Sequence, residues 1–102
     1  MLTEIKLVIL ASDILESRYL DTSDCAITRA LHRAGYHDYE DCGDGIYTDD
    51  LNQIVSDENE SYKDLVSLVL GMYSTKENKT YTTSFGFSTK IPIVDTEYTL
   101  KL

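Results

Sequence analysis

The segment from Asp21 to Tyr36 (DTSDCAITRALHRAGY) constrains the fold most, because it contains signals for the start, the buried face and the end of one helix. Ser23 and Asp24 offer side-chain oxygens to the unpaired amides of a first helical turn. Apolar residues recur at spacings of three, four and seven, which is one face of a helix: Ile27, Ala30, Leu31 and Ala34. Gly35 suits a left-handed cap after the last turn. We predict a helix over residues 23–34.

The opposite face of this predicted helix carries Cys25, Arg29 and His32. A helix N-terminus and a nearby cation both lower the pKa of a cysteine, so Cys25 is a candidate for a reactive thiolate. Seven residues separate Cys25 from His32, which is about 10 Å along a helix axis. That distance is too long for direct proton transfer or for a shared metal ion. We therefore favour a structural role, with Cys25 packed against Leu20 and the other two side chains solvated.

The rest of the chain alternates between strand patterns and helix patterns. Apolar alternation and turn signals predict a strand at Thr3–Ala11, a short helix at Ile14–Leu20, a hairpin around Asp44-Gly45 within Tyr39–Asp49, a helix over 61–73, and strands at Thr80–Phe87 and Lys90–Leu100. Residues 51–56 give no clear prediction. The expected fold is a single α+β domain over residues 1–102, with a small antiparallel sheet of four to five strands and two main helices packed on one face.

Composition places limits on the class of protein. No stretch of 18 apolar residues occurs, so no transmembrane helix is predicted, and a cytoplasmic protein is expected. Two cysteines without paired spacing fit a reducing compartment, although the spacing leaves a Cys25–Cys42 disulfide open. No phosphate-binding glycine loop, nucleophile elbow or metalloprotease motif is present, so the sequence predicts neither an enzyme nor a cofactor.

Negative charge is concentrated in one part of the chain. The net charge is −9, from nine basic and eighteen acidic residues, and such a chain should repel nucleic acid and anionic membranes. Residues 37–64, the acidic segment, contain ten acidic residues and only Lys63 as a base, so ten minus one accounts for the whole net charge. The ten are Asp38, Glu40, Asp41, Asp44, Asp49, Asp50, Asp57, Glu58, Glu60 and Asp64.

The acidic segment has three interpretations. The first is a solvated surface that serves solubility. The second is a protein-binding surface that occupies a basic groove as a nucleic-acid mimic, since carboxylates can imitate a phosphate array and tyrosines are good interface anchors. On this second interpretation the partner-binding residues are the ten carboxylates together with Tyr39 and Tyr47.

The third interpretation is a metal site. Asp38, Glu40 and Asp49 occupy positions 1, 3 and 12 of a calcium-loop template, and Gly43 occupies position 6. Cys42, however, stands at position 5, and the last ligand is Asp rather than a bidentate Glu. His37 and Cys42 lack two further ligands at zinc spacing. We therefore predict no metal ion.

Two segments carry a resemblance to known proteins. The pattern D-x-x-D-C-A-I-x-R-A-L at 21–31 and the pattern F-G-F-x-x-x-I-P-I at 85–93, together with the opening strand, resemble small bacteriophage-encoded proteins of unknown activity. The resemblance implies a phage or mobile-element origin and transfers no catalytic residue. With the acidic segment it leads us to expect an inhibitor of a host defence nuclease, such as an anti-CRISPR protein. The alternatives are a phage structural or assembly subunit, for which a homodimer is an option, and a small hydrolase using Cys25 or a metal ion.

Overall fold

The computed structural model describes residues 2–19, 23–84 and 86–102. Within them, three helices and seven short strands follow one another along the chain. They are β1 (Glu4–Ile9), α1 (Ala11–Leu15), α2 (Ala26–Arg33), β2 (Tyr39–Asp41), β3 (Gly45–Thr48), β4 (Gln53–Ser56), α3 (Glu60–Glu77), β5 (Thr82–Thr83), β6 (Gly86–Phe87) and β7 (Thr96–Lys101). The α+β class and the antiparallel pairing are confirmed.

The prediction of one sheet of four to five strands is wrong in detail. The strands form three separate antiparallel sheets, β1–β7, β2–β3–β4 and β5–β6. The outer edge of β7 has no room for another strand because the start of α3 covers it: Ser61 Oγ accepts from Lys101 N (2.9 Å), and Asn59 Nδ2 donates to Lys101 O (2.9 Å). The side chains of Asn59 and Ser61 thus take the place of backbone hydrogen bonds that another strand would have formed with β7.

The first sheet, β1–β7, supplies one wall of the core. Ile5, Leu7 and Ile9 of β1 are buried, while the residues between them face outward, as the sequence alternation predicts. Leu100, which pairs with Ile5, is also buried. On the outer face Lys101 pairs with Glu4 at 3.1 Å.

Helix α2 lies within the predicted range 23–34, and three of its four predicted inner residues, Ile27, Ala30 and Leu31, are buried. The fourth, Ala34, is exposed, because it is the C-cap and no longer follows the helical face. Its end has the full Schellman pattern, because Tyr36 N donates to Leu31 O (2.9 Å), Gly35 N donates to His32 O (3.1 Å), and Gly35 has φ +101°. Because this face is buried and Gly35 adopts the left-handed conformation, local sequence signals were sufficient to predict the inner face and the end of α2.

The start of α2 differs from the prediction. The N-cap is Cys25, whose Sγ accepts from Thr28 N at 3.4 Å, and not Ser23 or Asp24. Cys25 is buried, as the favoured structural role implies, although it caps the helix instead of lying on its outer face. Asp24 instead pairs with Arg29 (Nε–Oδ1 2.8 Å), and this bond lowers the pKa of Asp24. The predicted contact of Cys25 with Leu20 lies outside the described residues, as do Asp21 and Phe85 of the resemblance patterns.

Helix α1 is shorter and earlier than the predicted helix at 14–20. Asp13, not Ser12, organises its first turn, because Asp13 Oδ2 accepts from Leu10 N at 2.9 Å. The buried Asp13 carboxylate also forms an ion pair with Nη2 of Arg33 in α2, and Nη1 of Arg33 donates to Val8 O at 2.7 Å. Because Arg33 links α1, α2 and β1, long-range contacts rather than local signals set the position of α1.

Helix α3 is the central element and is longer than the predicted 61–73. It begins at the N-cap Asn59, whose side chain accepts from Tyr62 N at 2.9 Å, and ends at Asn78 in the left-handed region. Leu70 does not share the helical face of Leu65, Val69 and Met72, yet it is buried along with most of the neighbouring turns. A helix buried on more than one side shows little amphipathic periodicity, which explains why its length was underestimated.

Residues 90–95, predicted to form the first half of the last strand, Lys90–Leu100, instead lie across α3 before β7 begins. Ile91 N donates to Gly71 O at 3.2 Å, and Thr75 Oγ1 donates to Ile91 O at 2.6 Å. Pro92 falls within this extended segment, before β7. A Cβ at Gly71 would lie 2.7 Å from Thr89 O and 2.9 Å from Ile91 Cγ1. The absence of a side chain at Gly71 therefore permits the crossing.

Gly71→Ala should destabilise the protein, although alanine is the better helix former by about 1 kcal/mol. The added methyl group must displace backbone, and overpacking of this kind costs about 1–3 kcal/mol. Urea unfolding followed by far-ultraviolet circular dichroism measures the net effect. Ser67→Ala, at an exposed position of the same helix, is the matched control and should leave stability unchanged or slightly higher. A gain in stability for Gly71→Ala would contradict the close contact.

Candidate functional site

The sheet β2–β3–β4 brings together part of the acidic segment. Glu40 pairs with Tyr47, and Tyr47 pairs with Gln53 across a β-bulge, whereas Ile46 and Val55 point into the core. Alternation along the strands thus places Glu40, Tyr47 and Gln53 on the outer side. We call this surface with its connecting turns the acidic sheet face: Asp38, Glu40, Cys42, Asp44, Tyr47, Asp49, Asp50, Leu51, Gln53 and Asp57.

The carboxylates converge around Tyr47 at one end of this face. Gln53 Nε2 donates to the Tyr47 hydroxyl at 3.0 Å. Desolvation and the charge of Asp44, with a smaller contribution from Asp57, raise the pKa of Tyr47. Desolvation and then the charges of neighbouring carboxylates, including Asp44 and Glu40, likewise raise the pKa of the Cys42 thiol. Both groups therefore stay protonated at neutral pH, and the negative charge of the face resides on carboxylates.

The opposite end of the face carries a second set of acids. Tyr39 pairs with Thr48, so Asp38, which precedes Tyr39, and Asp49, which follows Thr48, lie at the same end of the hairpin. Strand β3 has four residues, which separates the two ends by about 13 Å. The face thus displays carboxylates at both ends and at Glu40 between them.

The remaining predicted contact residues lie beside this face rather than on it. Glu58, Glu60 and Asp64 are exposed around the first turns of α3, where Glu60 pairs with Lys63 at 3.5 Å. Tyr39 is half-buried and stacks on Tyr36 with ring centroids 5.3 Å apart. Tyr39 therefore contributes to packing more than to the outer surface.

Asp41 is the predicted contact residue that the structure removes from the surface. It pairs with the buried Ile46 and is only 7% exposed, so it cannot touch a partner. Its carboxylate accepts from the Tyr62 hydroxyl (2.5 Å), from Gly43 N (3.2 Å) and from Cys25 Sγ (3.7 Å). The partners belong to α3, to the β2–β3 turn and to the N-cap of α2. Asp41 therefore joins the acidic sheet face to both long helices.

The chemistry of this buried group is governed by desolvation. A phenol, an amide and a thiol carry no positive charge, so burial raises the pKa of Asp41 although each hydrogen bond opposes the shift. Burial and then the charge of Asp41 raise the pKa of the Cys25 thiol to about 11. A protonated thiol is a poor nucleophile, and this geometry suits a structural role for Cys25 rather than catalysis. Both cysteines are free thiols.

Gly45 allows the hairpin to reach this network. Its φ is +150°, its backbone hydrogen-bonds the Tyr62 hydroxyl, and a Cβ there would lie 2.2 Å from Val55 O. The predicted hairpin is confirmed, but its turn comes earlier than Asp44-Gly45, since residues 42–44 connect β2 to β3 and Gly45 is the first residue of β3. The same hairpin explains why the calcium-loop spacing forms no ligand cage: Asp38 and Asp49 lie at the end of the hairpin away from Gly43. Among the described residues, no cluster of three or more potential ligands could hold a metal ion.

Sequence reasoning missed Leu51, at the tip of the β3–β4 turn. Its side chain is 80% exposed, and its φ of 63° lies in the left-handed region that disfavours a branched side chain. The turn needs this conformation because Leu51 N donates to Thr48 O and Asn52 O accepts from Thr48 N, both at 2.9 Å. The signal in the sequence was an apolar residue between Asp50 and Asn52, at a position where glycine or asparagine is usual.

Comparison of the chain with protein-family models, with curated proteins and with solved structures gives no match. The described helices also include none with the length and hydropathy required to cross a bilayer.

Asp41→Asn should change how stability depends on pH. Because the pKa of Asp41 is raised above 3.8 in the folded protein, the folded state holds the proton more tightly than the unfolded chain. In the wild type, the protonated Asp41 carboxyl group stabilises the folded state fully below about pH 4. This stabilisation is lost as pH rises through the raised pKa and the group ionises. The asparagine variant does not ionise at this position, so it does not lose stability in this way. Urea unfolding from about pH 4 to about pH 8 should show the variant gaining on the wild type as pH rises.

The control for this measurement is Asp49→Asn, which removes an exposed carboxylate of the same face. Its difference from the wild type should change less with pH than that of Asp41→Asn, because this carboxylate lies at the surface in water and is not enclosed by other protein groups. A pH-independent difference for Asp41→Asn would show that the buried carboxyl group is not penalised by desolvation.

Leu51→Gly should stabilise the protein by about 1 kcal/mol, because a left-handed conformation costs an L-residue roughly 1–2 kcal/mol and glycine nothing, while glycine loses more backbone entropy. Leu51→Ala truncates the same exposed side chain but keeps the Cβ, so it should leave the stability close to that of the wild type. Thermal and urea unfolding of the three proteins decide the matter. Equal stability of the glycine and alanine variants would contradict backbone strain at this turn.

Proposed function

We propose that this chain is a non-enzymatic binding protein whose acidic sheet face occupies a basic, nucleic-acid-binding surface of another protein. The observation that carries the proposal is the convergence of Glu40, Asp44 and Asp57 around Tyr47 on the outer side of an ordered sheet. Unpaired carboxylates on a surface create a field that attracts a basic partner and accelerates association. Tyrosine supplies contact area at low entropic cost beside them.

The buried connections of the sheet support this function. A mimic of a phosphate array needs charges at defined separations, and mobile acidic side chains on a disordered segment would not provide them. Hydrogen bonds from Tyr62 and Gly43 to Asp41 hold β2 and its turn against α3. Binding to a prearranged surface costs less conformational entropy than binding to a segment that must first become ordered.

The chemical class of the partner follows from charge. With one base against ten acids in the acidic segment, the complementary surface is rich in Lys and Arg. Leu51 adds an exposed apolar contact beside Asp49 and Asp50, so the partner surface would also offer an apolar site within its basic rim. Taken with the phage resemblance, this favours an inhibitor of a host defence nuclease acting in the host cytoplasm, of which anti-CRISPR proteins are examples.

The alternative of a small hydrolase using Cys25 has less support, because the Cys25 thiol is buried and its pKa is raised to about 11. A phage structural or assembly subunit remains the alternative in which the acidity serves solubility alone. The two functions differ in what the carboxylates do. An inhibitor loses its partner when they are neutralised, whereas a subunit keeps its contacts and becomes less soluble.

A variant with Glu40→Gln, Asp44→Asn, Asp50→Asn and Asp57→Asn, all on the acidic sheet face, tests the proposal. Proteins retained from a host lysate by the immobilised wild type should be released by rising salt, because screening beyond about 8 Å weakens exposed charge pairs at physiological ionic strength. Against a purified retained protein, the variant should associate roughly tenfold more slowly, with a smaller change in dissociation. The partner's nucleic acid should compete with the wild type.

The control variant carries Glu4→Gln, Glu16→Gln and Glu97→Gln, which removes carboxylates outside the acidic segment. Its effect on association, taken per charge removed, should be several-fold smaller. Circular dichroism should show that both variants fold. If association is unchanged by the four substitutions in the acidic segment, the mimic function is rejected and the carboxylates serve as a solvated surface.

A further inference from the structure

A cleft of about 420 Å³ opens between the segment after α1 and the C-terminal end of α3. Its lining residues are Arg18, Tyr19, Lys76, Glu77, Lys79 and Tyr81, which we call the basic cleft. The volume lies within the range of about 300–1,000 Å³ that is typical of small-molecule sites. None of its residues belongs to the acidic segment, so the basic cleft is a feature separate from the acidic sheet face.

The charge of the basic cleft is opposite to that of the whole chain. Among the described residues that line it are three of the nine basic residues of the chain and one acid, Glu77. The Glu77 carboxylate is itself engaged, because the Tyr81 hydroxyl donates to it and Lys79 Nζ lies 3.5 Å away. Three positive charges minus one negative charge leave a formal +2 in a protein of −9. An anion, and a dianion best of all, would complete this charge balance.

Lys76 is held in position before any ligand arrives. Its Nζ donates to Ile14 O (3.0 Å) and to Ser17 O (2.9 Å), at the end of α1. An ammonium group has three donors, so two of these bonds fix its place and one N–H is left for a ligand. Positive charge fixed in this way interacts with an anion without the entropic cost of ordering a lysine side chain.

Two aromatic rings form part of the wall of the basic cleft. Tyr19 and Tyr81 meet edge to face with centroids 5.3 Å apart, and Lys79 Nζ lies 4.8 Å from the centroid of the Tyr81 ring. The edge-to-face contact is a favourable arrangement that holds both rings in place. Flat aromatic surfaces beside cations suit a ligand that combines a planar ring with negative charge.

We propose that the basic cleft binds a small phosphomonoester that carries a planar ring, of the size of a nucleoside monophosphate. A phosphomonoester carries a charge of about −1.5 to −2 at pH 7, which matches the formal +2 of the cleft. Arg18 offers a guanidinium group that bonds phosphate oxygens in pairs, and Lys76 and Lys79 act as point charges. The tyrosine rings contact the planar group.

Adenosine monophosphate is the probe, titrated into the full chain labelled with ¹⁵N and followed by two-dimensional NMR. Saturable shifts should appear for the amides of residues 18–19 and 76–81. Adenosine and inorganic phosphate, titrated separately, test the two halves of the ligand. Each should bind at least tenfold more weakly than adenosine monophosphate, which corresponds to about 1.4 kcal/mol.

Single variants separate a site from general attraction. Arg18→Gln and Lys79→Gln, both at exposed side chains, should each weaken binding about fivefold, whereas Lys6→Gln on β1 makes the same change of charge elsewhere and should have no effect. Circular dichroism confirms folding of all three. The proposal is overturned by an absence of saturable shifts, by equal binding of adenosine or phosphate, or by equal weakening in Lys6→Gln.

Discussion

The carboxylate of Asp41 is the group on which the arrangement of the acidic sheet depends. It accepts hydrogen bonds from Tyr62 of α3, from Gly43 in the β2–β3 turn and from Cys25 at the start of α2. A buried acceptor that loses one such partner has no water to replace it, and the loss costs about 1–3 kcal/mol or more for a charged group. Asp41 therefore links the three elements by direct hydrogen bonds, in addition to the core residues that pack between them.

The burial of the Asp41 carboxylate carries a cost in stability. No cation among the described residues forms an ion pair with Asp41, so its ionisation is opposed by desolvation, which raises its pKa. The exposed carboxylates of the acidic segment repel one another, and this repulsion also lowers the stability of the folded state as pH rises. Buried polar groups of this kind contribute specificity of arrangement more than free energy. A binding surface that must present charges at defined separations needs that specificity.

The structure separates charge of opposite sign into two surfaces. The carboxylates of residues 38–64 surround the β2–β3–β4 sheet, whereas Arg18, Lys76 and Lys79 line the basic cleft. Helix α3 connects them, since Tyr62 near its start supports the sheet and Lys76 near its end reaches across to α1. A ligand at one end of α3 and a protein at the other would thus act on the same rigid element.

The sequence by itself determined those parts whose signals are local. The inner face and the end of α2, the existence of the β2–β3 hairpin and the alternation of β1 all follow from side-chain period and from glycine conformations. The acidic segment was equally visible, because charge is a property of composition. Of its ten carboxylates, nine remain at least partly exposed in the structure.

Tertiary structure decided what depends on contacts between distant residues. Cys25 replaced the expected caps because Asp41, sixteen residues later, and Thr28 enclose it. The predicted single sheet does not form, because a side chain at the start of α3 bonds the edge of β7 and because the first half of the last predicted strand crosses α3 at Gly71. Asp41 looked like one more surface acid, since neither its burial nor its partner Tyr62 leaves a local pattern. Hydrophobic period and turn chemistry act over a few residues, whereas hydrogen bonds between elements are formed only once the chain has packed.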